Sequence, residues 1–141
     1  PELAGPALES LRDATGESAQ LYVREGDARV CVVSLESPHG LRTIVPVGAV
    51  LSIEVGSAAH VLTGRADPDT WVESVAEREA GVASVSAAVR SADGAVVAAT
   101  SISGPVDRMG PHPGERHGAR VVEAARWVEG RLGRVSEQRS A

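Results

Sequence analysis

Phenylalanine and lysine are both missing from this 141-residue sequence. The aromatic side chains are Tyr22, Trp71 and Trp127, so a core has to be built mainly from valine, alanine, leucine and isoleucine. Protein interiors are close-packed, and side chains this small bring neighbouring backbones together while leaving room for a cavity. The composition therefore predicts a tightly layered domain with space for a small pocket.

Positive charge is also in short supply. All 14 basic residues are arginines, they are interleaved with 19 acidic residues, and the formal net charge is −5. Binding to nucleic acid needs a clustered positive face that neutralises phosphates. We therefore do not expect this chain to bind DNA or RNA by itself.

Cysteine and long apolar segments are scarce too. Cys31 is the only cysteine, which excludes an intramolecular disulfide, and its place between two valines favours a buried structural thiol over a redox site. No apolar run approaches the roughly 20 residues of a membrane span. The first residues lack the basic and apolar pattern of a secretory leader. These absences predict a cytoplasmic protein that crosses no membrane.

Hydrophobic periodicity predicts helices at both ends of the chain with strands between them. Apolar residues at helical spacing predict a first helix that begins near Leu3 and ends at Thr15-Gly16. A last helix follows a loop that holds Met109, Pro111 and Pro113, and its polar end after Arg134 is expected to fray. Between them we expect strands over 19–24, 29–36 and 41–47, a short helix within 54–63, a polar loop over 64–70 and an extended or irregular segment over 71–80.

The clearest local feature is a β-hairpin. Strand-like residues 82–90 and 95–103 flank Asp93-Gly94, a strong signal for a two-residue turn. Such a turn pairs residues whose numbers sum to 187, and alternate side chains then share a face. Together these elements predict an α+β domain in which one layer of helices covers an antiparallel sheet. One face of the hairpin would hold the pairs Ala88–Ala99, Ser86–Ser101 and Ser84–Ser103.

This ladder of small hydroxyl residues has two interpretations. It could be an ordinary solvent-facing strand surface, although such surfaces usually carry longer polar side chains. Alternatively, serines in a small-residue setting fit against another backbone or around a ligand that needs hydrogen-bond donors. A carboxylate or hydroxy acid would suit the second interpretation.

The segment GVASVSAAVRSADGAVVAATSISGP, from Gly81 to Pro105, resembles the signature end of the effector-binding domain of IclR-family transcriptional regulators. The segments LESLRDATGES, VVSLESPHGLR and VGAVLSIEVGSAAHVL agree with the same family in the same order. The resemblance implies a GAF-like fold, an antiparallel sheet flanked by helices. It also implies the C-terminal sensing half of a bacterial regulator that forms homodimers or homotetramers and whose effector is a small organic acid or aromatic.

By this resemblance, residues 1–134 form the effector-binding domain and residues 135–141 a frayed polar tail. The winged helix-turn-helix that contacts DNA in the family is absent from this chain, so any DNA partner would be reached through that separate N-terminal domain. Whether the regulator represses or activates is left open, and no cofactor is expected.

The resemblance also implies ligand contacts, residue by residue. Ser101 and Ser103 fall on the hydroxyl positions of the SISGP strand, and Ser84 and Val82 on pocket positions of the preceding strand. Backbone amides at a helix start are implied at Ser57 and Ala58, where oriented N–H groups would meet an anion. The implied ligand-binding set is Ser57, Ala58, Ser74, Val82, Ser84, Ser101 and Ser103.

The sequence departs from the family at three points. Ala59 and His60 stand where a Gly-Lys pair is usual, and Ser74 stands where an acidic residue often contributes to the pocket. The segment between Leu62 and Trp71 is shorter than the family norm, so either a helix is lacking or the sequence omits a stretch. These changes alter the charge of the pocket, so the identity of the effector cannot be inherited.

No catalytic motif is apparent. The sequence has no GxSxG elbow, P-loop or HExxH motif. His112 and His117 with Glu115 between them are compatible with metal ligation, but a solvated helix cap is the favoured interpretation, and Glu77 and Glu79 are expected at the surface. We therefore expect neither an enzyme nor a metal site. The alternatives kept open are an oligomerisation domain that has lost its ligand and a GAF-like enzyme acting on a small molecule.

Overall fold

The structure is a computed structural model that describes residues 3–64, 70–77 and 79–140, with side chains up to residue 134. Its helices are α1 (Gly5–Thr15), α2 (Ser57–Leu62), α3 (Val106–Met109) and α4 (Pro113–Ser140). Its strands are β1 (Ser18–Glu25), β2 (Ala28–Leu35), β3 (Val50–Ser52), β4 (Trp71–Val75), β5 (Val82–Arg90) and β6 (Val96–Pro105). The predicted polar loop falls largely on residues 65–69, outside the described residues, and the frayed tail stays a prediction.

The strands form a single antiparallel sheet in the order β3-β2-β1-β6-β5-β4. Strands β1 and β2 form a first hairpin, and β5 and β6 form a second. Pairing of β1 with β6 joins the two hairpins, so residues far apart in sequence share the middle of the sheet. The predicted α+β class and the antiparallel sheet flanked by helices are confirmed.

Helices cover both faces of the sheet, so the prediction of one helix layer is wrong. On one face α1 and α4 pack against the sheet around Leu8, Val85, Ile102 and Val121. On the other face α2 lies across β5 and β6. The buried residues of this second core are Tyr22, Cys31, Val45, Ala58, Val61, Leu62, Ala88 and Ala99.

The second hairpin has the predicted register but not the predicted turn. Ser84 pairs with Ser103, and Ser86 with Ser101, as the sum of 187 requires. At the tip, however, Ser91 N donates to Ala95 O at 2.9 Å, so the loop has three residues. The register shifts between Val89 and Arg90, and this bulge restores the predicted pairing along the rest of the hairpin.

The predicted strand over residues 41–47 is wrong. This segment is irregular, and β2 pairs with β3 instead. Serine side chains donate hydrogen bonds to the backbone carbonyl groups of this segment. Ser18 Oγ donates to Thr43 O at 2.6 Å, and Ser34 Oγ donates to Val45 O. Pro46 has no backbone N–H that could donate to a neighbouring strand. The segment is therefore a loop, and the serine side chains hold it in place.

The predicted loop before the last helix contains a further short helix, α3. Arg108 on α3 makes two hydrogen bonds to the carboxylate of Glu17, of 2.7 and 2.6 Å, and donates to Leu41 O at 2.7 Å. These contacts tie α3 to the start of β1 and to the irregular loop, at the end of the sheet opposite the turn of the second hairpin.

Candidate binding site between the sheet and helix α2

The serine face of the second hairpin lies directly beneath α2. Ser57, the first residue of α2, places its Oγ 2.7 Å from Ser84 Oγ and 2.7 Å from Ser86 Oγ. Ser86 Oγ is in turn 2.5 Å from Ser101 Oγ. Because the neighbouring side chains are small, the helix approaches closely enough for hydroxyl-to-hydroxyl contacts. The serines therefore face the interior and not solvent.

A cavity of about 20 Å³ remains between this network and strand β1, room for about one water molecule. Every residue of the implied ligand-binding set contributes to its lining. The structure thus brings together side chains from α2, β4, β5 and β6 that are far apart in sequence. The lining residues are Gln20, Tyr22, Arg29, Gly56, Ser57, Ala58, Ser74, Val82, Ser84, Ser101 and Ser103.

Residues 67–129 match the family model described as the bacterial transcriptional regulator IclR C-terminal domain. Over these residues the chain is similar to that domain. The match includes β4, β5 and β6 and most of the described part of α4, and therefore the serine hairpin itself.

Solved structures share the fold of this chain over nearly its whole length. A transcriptional regulator from Rhodococcus sp. RHA1 superposes with a TM-score of 0.86 at 23% identity, over 96% of this chain and 68% of that one. The IclR protein of Thermotoga maritima gives 0.81 at 16% identity, over 94% and 68%. The C-terminal domain of the E. coli transcriptional regulator KdgR gives 0.78 at 18% identity, over 94% and 97%. No curated protein sequence matches the chain.

Four residues that line the cavity were not predicted: Gln20, Tyr22, Arg29 and Gly56. Gln20 pairs with Ser101 in the β1–β6 ladder, so it lies on the serine side of the sheet. Alternation along β1 places Tyr22 on the same side. Local periodicity could place both on one face, but it could not show that β1 neighbours β6.

Gln20 is fully buried, and its two polar atoms are in different situations. Ser103 Oγ donates to Gln20 Oε1 at 3.2 Å. Gln20 Nε2 has no hydrogen-bond partner in the described part of the domain. A buried donor without a partner costs about 1–3 kcal/mol, so this amide is an unusual feature of the cavity wall.

Arg29 brings a positive charge to the same wall while being only 3% exposed. Its guanidinium carbon lies 5.0 Å from the centre of the Tyr22 ring, a cation–π distance. Arg29 Nη1 donates to Val55 O at 3.1 Å. A Cβ at position 56 would lie 3.0 Å from Nη1, and Gly56 has φ +99°, so both contact and backbone favour glycine there.

A carboxylate outside the cavity holds the start of α2. Glu77 Oε1 accepts a hydrogen bond from Gly56 N at 3.1 Å and lies 2.7 Å from His60 Nε2. Partial burial alone would raise the pKa of Glu77, but the hydrogen bonds from Gly56, His60 and Ser74 together lower it. His60, one of the departures from the family pattern, thus contributes to fixing α2.

The described residues hold two further kinds of group that were considered as reactive, a thiol and possible metal ligands. Burial raises the pKa of Cys31 to about 11, so its thiol stays protonated near neutral pH. Within residues 3–64, 70–77 and 79–140, no group of three or more His, Cys, Asp or Glu side chains is arranged to hold a metal ion. Helices in the same residues are all too short or too polar to cross a membrane.

Proposed function

We propose that this chain is the ligand-sensing half of an IclR-family bacterial transcriptional regulator and binds a small organic effector in the cavity under α2. The observation that carries the proposal is the convergence of the seven expected ligand residues, from four elements, on one small cavity beneath α2. DNA would be contacted by a separate N-terminal domain, in the cytoplasm, with the regulator assembled as a homodimer or homotetramer.

Effector binding requires α2 to move. Ligand sites commonly enclose about 300–1,000 Å³, whereas the cavity here measures about 20 Å³. Gly56 and Gly64 flank α2 with φ of +99° and +72°, and such positions can absorb a hinge rotation. Moving α2 outward would release Ser57 from Ser84 and Ser86, leaving these hydroxyls for the effector.

The regulatory mechanism follows from this movement. The arrangement with α2 packed down would prevail without effector, and the arrangement with α2 displaced would prevail with it. An effector shifts this equilibrium only by the difference in its affinity for the two arrangements. The DNA-binding domain would then respond to the position of α2 or to a change in subunit packing that accompanies it.

A thermal-shift screen followed by calorimetry tests ligand binding. The wild-type domain is expected to be stabilised by at least one small polar organic compound, and Ser84→Ala and Ser101→Ala to lose most of that stabilisation. Ser91→Ala is the matched control, because Ser91 lies on the same hairpin but at its exposed tip. Equal ligand responses in all four proteins would contradict the site.

Regulation requires a second experiment on the intact regulator. Its affinity for operator DNA should change when the effector identified in the screen is added. Ser84→Ala in the intact protein should bind DNA but respond weakly to the effector. Identical DNA affinity with and without effector would contradict the sensing role even if ligand binding were real.

One observation favours a second candidate function, an oligomerisation domain that has lost its ligand. Ser57, Ser84, Ser86 and Ser101 already satisfy one another, and the space left over is small. On this hypothesis no compound would stabilise the domain, while sedimentation would still show a dimer or tetramer. Chemical turnover of a bound compound would instead support the GAF-like enzyme.

A further inference from the structure

One carboxylate oxygen contacts both sides of the hinge at the start of α2. Glu77 Oε1 accepts a hydrogen bond from Gly56 N at 3.1 Å and lies 2.7 Å from His60 Nε2. An ionised carboxylate only accepts hydrogen bonds, so His60 Nε2 carries the proton of this contact. The N–H of Gly56 lies before the φ and ψ bonds of that residue, whereas His60 lies after them. Rotation about Gly56 would therefore keep the first hydrogen bond and break the second.

The backbone in front of Glu77 holds the carboxylate at this position. Ala76 has φ +59°, a left-handed conformation that is unfavourable for a residue with a Cβ. Ala76 N donates to Val82 O at 2.9 Å, which ties this turn to β5. Partial burial alone would raise the pKa of Glu77, but the hydrogen bonds that it accepts lower it. The carboxylate is therefore charged at neutral pH.

We propose that the contact between Glu77 and His60 controls how often α2 moves away from the sheet, so that Glu77 regulates access to the cavity from outside it. Neither side chain is among the described residues that line the cavity. The regulatory consequence rests on the proposed sensing function. When only a fraction of the molecules is open, the apparent affinity for a compound in the cavity scales with that fraction. Weakening the contact would raise this affinity, and strengthening it would lower it.

Thiol labelling with Ellman's reagent measures the opening of α2 without any effector. Ala58 on α2 is 3% exposed, and Ala58→Cys in a Cys31→Ala background places one buried thiol beneath the helix. Its labelling should be faster than that of Ala125→Cys in the same background, since Ala125 is fully buried on α4 in the other core. Equal labelling at the two positions would mean that α2 opens only when the whole domain unfolds, and would overturn the inference.

Substitutions of the pair are then compared by labelling at position 58. Glu77→Ala and His60→Leu should each speed labelling about 3- to 10-fold, a moderate effect because both side chains are partly exposed. The double variant should label no faster than Glu77→Ala, since both changes remove the same contact. Additive effects, or no effect of either change, would contradict the proposal.

A rescue variant separates the contact from a general role of His60 in packing. His60→Lys places a cation within reach of Glu77 and should restore slow labelling, but not when Glu77 is alanine. Glu9→Ala is the control for loss of a carboxylate, because Glu9 is exposed on α1 at the other face of the sheet. It should leave labelling at position 58 unchanged. Labelling of the His60→Lys protein as fast as that of His60→Leu would show a packing role and overturn the inference.

A second measurement serves if the cysteine variants do not fold. Methyl relaxation dispersion on Val61 and Leu62, buried side chains of α2, detects the same opening in the otherwise natural sequence. Glu77→Ala should increase the open population, and dispersion unchanged from wild type would overturn the inference. Neither measurement needs a bound compound. The contact can therefore fail this test while the thermal-shift screen still supports sensing, and sensing can fail while the contact is confirmed.

Discussion

Two buried polar groups of this domain illustrate how differently single residues contribute. Glu17, 3% exposed as a side chain, is held by two hydrogen bonds from Arg108. Gln20, three residues later, is equally buried but leaves its Nε2 without a partner in the described structure. The first arrangement stabilises the fold as it stands, and the second is costly until something enters the cavity.

Replacing Arg108 tests the first of these groups. Arg108→Met leaves the Glu17 carboxylate buried without its counter-charge, so the free energy of unfolding should fall by up to about 3 kcal/mol, the lower end for buried pairs because Arg108 is itself partly exposed. Arg12→Met is the control: its pair with the exposed Asp13 should contribute about 0–1 kcal/mol. Urea denaturation measures both, and equal losses would show that the burial of Glu17 is unimportant.

His117 gives a single-residue pH dependence. Burial and then the nearby Arg116 lower its pKa in the folded protein, partly opposed by Glu17. The unfolded chain therefore takes up the proton first as pH falls, and stability present above about pH 6.5 is lost as pH drops through the folded pKa. His117→Gln should flatten this loss between pH 7.5 and pH 5 in urea titrations. Replacement of the exposed His112 by Gln is the matched control for the loss of an imidazole.

At the level of strands and helices, sequence patterns predicted the features that depend on residues close together in the sequence. The register of the serine hairpin depends on residues close in sequence, and its bulge compensates for a loop one residue longer than predicted. The strand expected over 41–47 fails because its carbonyls are bound by serine side chains from other strands. Gln20 and Arg29 were missed for the same reason: their place in the site depends on long-range strand pairing.

The packing of β4 against α4 depends on two glycines in the helix, Gly114 and Gly118. A Cβ at position 118 would lie 2.2 Å from Trp71 Cδ1, and one at position 114 would lie 1.9 Å from Trp71 Cζ3. The indole ring therefore occupies the space that side chains would fill. Sequence periodicity does not reveal this contact, because glycine within a helix by itself indicates only a lower helix propensity.

A pair of glycine substitutions in α4 tests this contact. Gly118→Ala should destabilise the domain by about 1–3 kcal/mol, because the indole of Trp71 has to shift. Gly130→Ala should stabilise it by about 0.5–1 kcal/mol, since nothing lies within 4 Å of the added methyl group. Chemical denaturation compares the two. A Gly118→Ala protein as stable as Gly130→Ala would place Trp71 away from the helix.

Taken as a whole, the molecule is unevenly stabilised on its two sides. Large apolar side chains of α1, α4 and the sheet, such as Leu8, Ile102 and Val121, fill one core. The other core relies on one short helix over small residues, among them Ala88 and Ala99. Less apolar area is buried by α2, so this side should open first, and it is the side that holds the cavity.

Hydrogen exchange tests whether α2 opens independently of the rest. The amides of His60 and Thr63 donate to Gly56 O and Ala59 O within α2, and they should exchange through local opening, faster than amides in the middle of β5. Ser57→Ala removes two hydroxyl contacts and should speed exchange at His60 and Thr63 by roughly fivefold or more, while β5 is unaffected. Exchange at these two amides as slow as in β5 would mean that α2 leaves the sheet only when the whole domain unfolds. The cavity would then be closed to any effector in the native state, and the serine network would have to be interpreted as part of the core.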